Sequence, residues 1–182
     1  IMKKVLSLVL AGSMVLSLAA CGGSKDTAST IDSSAASSAE ASGSDTFKIG
    51  ATGPITGGAA IYGNAVKNGI QIAVDEINEA GGINGYQIDY NFQDDEHDAE
   101  KAVNAYNNLK DWGMQVLIGT TTSAPCIAVV EKTHADNMFQ ITPSGTAVEC
   151  VQYDNAYRMC FSDPTQGTES AKYIGENGMA QK

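Results

Sequence analysis

Positive charge is scarce in this 182-residue chain: 11 Lys and Arg stand against 21 Asp and Glu, a formal net charge of −10 at pH 7. An acidic surface repels phosphate backbones and anionic lipid heads, so nucleic acid is not expected as a partner and charge does not hold the chain to a membrane. Histidine is scarcer still. His97 and His134 lie in different segments, and zinc needs more ligands than these two. Neither histidine is placed by sequence beside a nucleophile, and a Gly-x-Ser-x-Gly elbow is missing, so nothing here reads as an enzyme. The loop Gly53-Pro54-Ile55-Thr56-Gly57-Gly58 lacks both the lysine of a phosphate loop and the spacing of a dinucleotide fingerprint. Asp94-Asp95-Glu96-His97-Asp98 has the look of a calcium loop, but the positions that would need Gly and Glu are Ala99 and Ala105. A solvated acidic turn and helix N-cap is the better reading. No cofactor or metal is expected.

Long apolar runs are also missing. The apolar run near the start, Val5 to Leu18, carries no charge and has 14 residues, whereas crossing a hydrocarbon core of about 30 Å takes roughly 20 in a helix. Preceded by Lys3 and Lys4, it reads as the positive and apolar regions of an export signal. Leu18-Ala19-Ala20-Cys21-Gly22 resembles the lipobox of bacterial lipoproteins, which implies acylation of Cys21 as the first mature residue and a chain anchored to the cell membrane on its extracytoplasmic side. Without residues 1–20 the count becomes 9 − 21 = −12, so lipid rather than charge does the anchoring. Residues 22–45 are nearly all Ser, Ala, Gly, Thr and Asp, with Ile31 the one large apolar side chain. Such a segment cannot bury enough surface to offset its ordering entropy and reads as a tether. The expected organisation is a signal at 1–20, a lipidated cysteine and tether at 21–45, and a ligand-binding lobe at 46–182.

Cysteine is sparse, at four. With Cys21 carrying lipid, Cys126, Cys150 and Cys160 remain, an odd set for an oxidising compartment. Cys150 and Cys160 flank the turn-like Tyr153-Asp154-Asn155-Ala156, which suits either a disulfide or two reduced, buried thiols. Cys126, beside Pro125 at the start of an expected helix, reads as a small core residue.

From Phe47 onward, strand and helix patterns alternate. Phe47–Thr52 is a short apolar strand. Val66, Ile70, Ala73, Val74 and Ile77 recur at helical spacing before the stop at Gly81-Gly82. Tyr86 to Phe92 alternates at strand period. A helix from about Asp98 to Gly113 carries Ala102, Val103, Tyr106 and Leu109 on one face. Strands are expected at 115–119, 138–142 and 157–161, and helices at 124–135 and 163–177. Such alternation with short connections predicts an α/β fold, a mostly parallel sheet with helices on both faces. Ligands in these folds sit at the carboxyl ends of the strands, which directs attention to the loops 53–63, 119–125 and 143–148.

Those loops are rich in hydroxyls. Gly119-Thr120-Thr121-Thr122-Ser123-Ala124-Pro125 sets four of them just before a helix, whose N-terminus offers unpaired N–H groups and partial positive charge, a good environment for a carboxylate. A cap on its own helix is the plainer role for Ser123 or a neighbouring Thr. Thr142-Pro143-Ser144-Gly145-Thr146 repeats the device at the end of the next strand, and two converging hydroxyl loops favour a binding site. Tyr62 ends the first loop, where it can pack on an apolar ligand.

Together, Ile49-Gly50, Gly53-Pro54-Ile55-Thr56-Gly57, Tyr62-Gly63, Ala80-Gly81-Gly82-Ile83-Asn84-Gly85, Asp94-Asp95, Ile118-Gly119, Ile141-Thr142-Pro143 and Asp163-Pro164-Thr165-Gln166-Gly167 resemble the branched-chain amino acid binding family of ABC-transporter solute-binding proteins. The resemblance implies two periplasmic-binding-protein-like lobes that close on an amino acid and deliver it to ABC permease subunits. It further implies that Ser123, Ser144 and Thr146, in loops shared with Thr122, hold the ligand α-carboxylate, and that Tyr62 contacts its side chain. Asp163, Gln166 and Gly167 fall near the family's hinge. Members with a disulfide between the acidic turn and the hydroxyl loop have cysteines where this chain has His97 and Thr122. The second lobe, which supplies the acid for the ligand ammonium, is expected beyond Lys182. The alternative reading is the ligand-binding sensor domain of a signalling receptor, against which the lipobox argues.

Overall fold

The computed structural model describes residues 46–179, so the expected signal, Cys21 and the tether lie outside the described residues. Five parallel strands, β1 (Phe47–Gly53), β2 (Ile88–Asp94), β3 (Val116–Ile118), β4 (Gln140–Thr142) and β5 (Ala156–Arg158), form one sheet in the order β2-β1-β3-β4-β5. The order reverses at β1, which places the topological switch point at the carboxyl ends of β1 and β3.

Alternation along the strands sorts side chains onto two faces. Ile49 and Ile88 pack with Val74 of α1 (Ala60–Glu79), flanked by Phe47, Ile70, Tyr90, Val116 and Ile118. The opposite face, including Leu117, packs with Ala102, Tyr106 and Leu109 of α2 (Ala99–Trp112) and Val129 of α3 (Ser123–Ala135). The expected mostly parallel α/β lobe is therefore the observed one. Helix α2 has the caps its ends call for. Asp98 accepts from the Lys101 N–H at 2.8 Å, and Gly113 closes the helix in the left-handed region at φ 91°.

Strand boundaries differ from expectation, most clearly in β2 and β5. Strand β2 starts at Ile88, because Tyr86 is taken into a tight turn by hydrogen bonds exchanged with Ile83, and the Asn78 side chain then grips both the N–H and the carbonyl of Ile88. Strand β5 ends at Arg158, so Met159–Phe161 runs on as irregular chain. A 3-10 turn at Val148–Val151 was not anticipated. Helix α1 also buries less than its pattern suggests. Val74 is buried, but Ala73 and Ile77 are exposed, because among the described elements α1 packs chiefly on β1 and β2.

Gly63 is the buried contact in the first turn of α1, where a Cβ would overlap the backbone carbonyl of Pro54. Backbone cannot move aside as a side-chain tip can. Gly63→Ala is therefore expected to destabilise the fold by about 1–3 kcal/mol, read as a lowered urea midpoint with an unchanged slope. An unaltered midpoint would show that the loop yields without cost.

Candidate functional site

Each strand of the central trio delivers a hydroxyl loop to the same end of the sheet. The loop after β3 is tied to β1 through the Thr121 N–H and Oγ1, which both donate to the Thr52 carbonyl at 3.2 and 3.1 Å. Gly53 makes room for this, since a Cβ there would run into the Thr121 side chain. The loop after β4 is tied to the loop after β3. Thr142 Oγ1 donates to the Thr120 carbonyl at 2.7 Å and accepts from the Gly145 N–H at 2.9 Å, while the Ser144 hydroxyl donates to the Thr121 carbonyl.

Ser123 does not cap its own helix, and neither does Thr122, the residue at the cap position of α3. The Ser123 Oγ instead accepts from the N–H groups of Thr146 and Ala147 at 3.1 and 3.3 Å. With its acceptor side occupied, the hydroxyl retains its proton for donation. The first N–H groups of α3 lack intrahelical partners by the nature of a helix start.

These loops line a cavity of about 380 Å³ whose walls are Tyr62, Thr121, Thr122, Ser123, Ser144, Thr146, Cys160 and Phe161. The structure thus brings all five candidate residues, Tyr62, Thr122, Ser123, Ser144 and Thr146, into one cavity. Of the lining residues, Tyr62 and Phe161 are 60% and 54% exposed. Thr121, Cys160 and Phe161 were not expected from sequence as cavity residues. The last two follow the carboxyl end of β5, and that position is the signal that could have found them. Among the described residues no cluster of three or more His, Cys, Asp or Glu suited to a metal is present.

The acidic turn supports the site from behind. Burial alone would raise Asp94, but hydrogen bonds from the Thr56 hydroxyl (2.6 Å) and from the N–H groups of Ile55 and Glu96 (both 2.9 Å) outweigh it and hold the carboxyl below its usual range. The turn therefore clasps the loop after β1, and Asp98 is the helix cap. His97 Nδ1 lies 2.9 Å from Thr122 Oγ1, so a hydrogen bond joins the two positions where the resemblance puts a disulfide in other members.

Asp95 is fully buried, with Oδ1 accepting the His97 N–H at 3.0 Å and Oδ2 unpartnered among the described residues. Burial pushes its pKa up to about 6. A carboxyl raised above its unfolded value contributes stability that is complete below about pH 4 and is lost as pH rises through about 6. Asp95→Asn is expected to stabilise the protein at pH 8 by about 1–2 kcal/mol, the unpaired amide offsetting part of the gain, and to leave stability at pH 4 little changed. Thermal unfolding of both proteins across that range checks this, and equal pH profiles would remove Asp95 as the cause.

A disulfide between Cys150 and Cys160 is not formed: Cys126, Cys150 and Cys160 are all free. The 3-10 turn aims the Cys150 thiol at the Ser123 carbonyl (3.8 Å) and toward Cys126, whereas Cys160 turns to the Gly145 carbonyl (3.6 Å) on the cavity side. Cys126 is a fully buried core residue, as expected.

A parallel sheet with a hydroxyl-lined cleft at its switch point defines an α/β ligand-binding lobe, and the sequence model described as periplasmic binding protein matches residues 46–181. The chain belongs to that family, a family of solute-binding proteins. It is similar to the Leu/Ile/Val-binding protein BraC3 of Rhizobium johnstonii, 36% identical over 131 residues, covering 71% of this chain and 36% of the relative. It is also similar to the leucine-, isoleucine-, valine-, threonine- and alanine-binding protein of Pseudomonas aeruginosa, 34% identical over 134 residues, covering 72% and 36%. Among solved structures it resembles the branched-chain amino acid transporter substrate-binding protein LivJ of Streptococcus pneumoniae in complex with isoleucine. There the TM-score is 0.69 and the identity 33%, covering 72% of this chain and 38% of that one. The chain therefore spans little more than a third of the length of these relatives.

Proposed function

We propose that this lobe serves an extracytoplasmic solute-binding protein of an ABC importer, which captures an amino acid, branched-chain or a similar small carboxylate, and delivers it to the permease. The observation that carries the reading is the Ser123 hydroxyl: its oxygen is saturated by two loop amides, and its remaining proton belongs to a cavity walled by Ser144, Thr146 and Thr122. Neutral donors at a helix start hold a carboxylate without the desolvation cost of a buried cation. Tyr62 and Phe161 offer apolar surface to the ligand side chain, and a second lobe supplies an acid for the ammonium. The protein makes and breaks no bonds in this role, and acylated Cys21 keeps it at the membrane surface beside its permease.

The test is a thermal-shift panel of amino acids on the full-length protein. A ligand present at a hundred times its Kd should stabilise by about 2.7 kcal/mol, and branched-chain residues are expected to give the largest shifts. A panel in which no amino acid moves the midpoint would sink the reading. A membrane span and signalling domain in the intact gene would favour the sensor instead.

A further inference from the structure

Resting on that reading of the site, we infer that Arg158 is a positioning residue that acts on the ligand carboxylate through Ser123. Arg158 ends β5, and its Nη1 donates to three successive carbonyls of the loop after β4, those of Gly145 at 3.4 Å, Thr146 at 3.0 Å and Ala147 at 2.9 Å. The Gly145 carbonyl and the Thr146 N–H belong to one peptide group, and the Thr146 carbonyl and the Ala147 N–H to the next. Those two N–H groups are the ones that donate to the Ser123 Oγ.

A cation held on a carbonyl oxygen draws electron density through the conjugated peptide unit and makes its N–H a stronger donor. Two such amides on the Ser123 oxygen in turn make the Ser123 O–H a stronger donor. The sequence of contacts runs from guanidinium to peptide, from peptide to hydroxyl, and from hydroxyl to the cavity. Despite the excess of acids, no carboxylate among the described residues lies within ion-pair distance of Arg158. It is also half-buried, so solvent screens it less than a surface charge.

The decisive experiment is a double-mutant cycle on the full-length protein, with L-leucine affinity read by calorimetry. Arg158→Met is expected to weaken leucine binding about tenfold in the wild-type background and less than twofold beside Ser123→Ala. Arg158→Lys should restore part of the loss, since it returns a cation without the planar fork. Equal losses in both backgrounds would overturn the proposal, because a merely structural residue acts regardless of Ser123. If the methionine variant fails to fold, the lysine variant runs the same cycle, with a smaller loss that must again vanish beside Ser123→Ala. A second readout needs no ligand: the amide proton resonances of Thr146 and Ala147 should move upfield in either Arg158 variant, and unmoved resonances would refute the polarisation. If the wild-type protein ignores leucine, the cycle is run with the amino acid that gives the largest thermal shift; if none gives one, the proposed ligand class fails, and these resonances still decide the role of Arg158.

Discussion

Ser123→Ala is expected to weaken binding of an amino-acid ligand by about 1.5–3 kcal/mol, roughly 10- to 150-fold in Kd. The variant loses the O–H that meets the carboxylate, and it strands the N–H groups of Thr146 and Ala147, which now donate to the Ser123 oxygen. Both consequences fall on the site rather than on the core, so the unfolding midpoint of the ligand-free protein should drop by much less than the binding energy. Calorimetric titration of the full-length variant with leucine checks the first part and a denaturant melt the second. Wild-type affinity in the variant would remove Ser123 from the site and leave the cavity without its principal donor.

Leu109→Ala should produce the largest loss of stability, about 2–5 kcal/mol. Leu109 is fully buried in the layer formed by α2 and α3, where it packs with Ala102, Tyr106, Met114, Leu117 and Val129. Close-packed neighbours collapse only partly into the space a leucine leaves. Tyr106 is held by donating its hydroxyl to Asp136 Oδ2 at 2.8 Å, which restricts any such collapse. The change lies away from the cavity, so any variant that remains folded should bind its ligand with near wild-type affinity. A loss below about 1 kcal/mol would mean that this layer repacks far more freely than a close-packed core does.

The candidate site was legible because its chemistry is local. Gly, Ser, Thr and Pro gathered in the loops that end β1, β3 and β4, and a parallel sheet sends every such loop to the same end. Where the chemistry depends on distant partners, the sequence is silent. Arg158 in a strand reads as a solvent-facing charge, and only the return of the chain from Gly145 to Ala147 gives it three carbonyls. Gln140 reads as a polar break in a strand, yet it is fully buried, its amide donating to Cys126 Sγ at 3.4 Å and its oxygen accepting from Thr133 at 2.7 Å. Cys160 and Phe161 looked like the end of a strand because an apolar run gives no sign of where sheet pairing stops. The cysteines stayed open for a related reason. Ten residues of separation suit Cys150 and Cys160 either as a disulfide or as two reduced thiols, and Val148–Val151 forms a 3-10 turn with no periodic signature, which decides which way the Cys150 thiol faces.

The cross-ties between the hydroxyl loops bear on how fast and how steeply a ligand is taken up. Thr52, Thr120, Thr121, Thr142, Ser144 and Ser123 are joined before any ligand arrives, so few rotamers on this wall remain to be frozen on encounter. The entropic penalty of association should therefore come mainly from whatever closes over the open side, not from this wall. Amide exchange at Gly145, Thr146 and Ala147 should accordingly be slow in the empty protein and change little on saturation, with the ligand-dependent protection appearing elsewhere in the molecule.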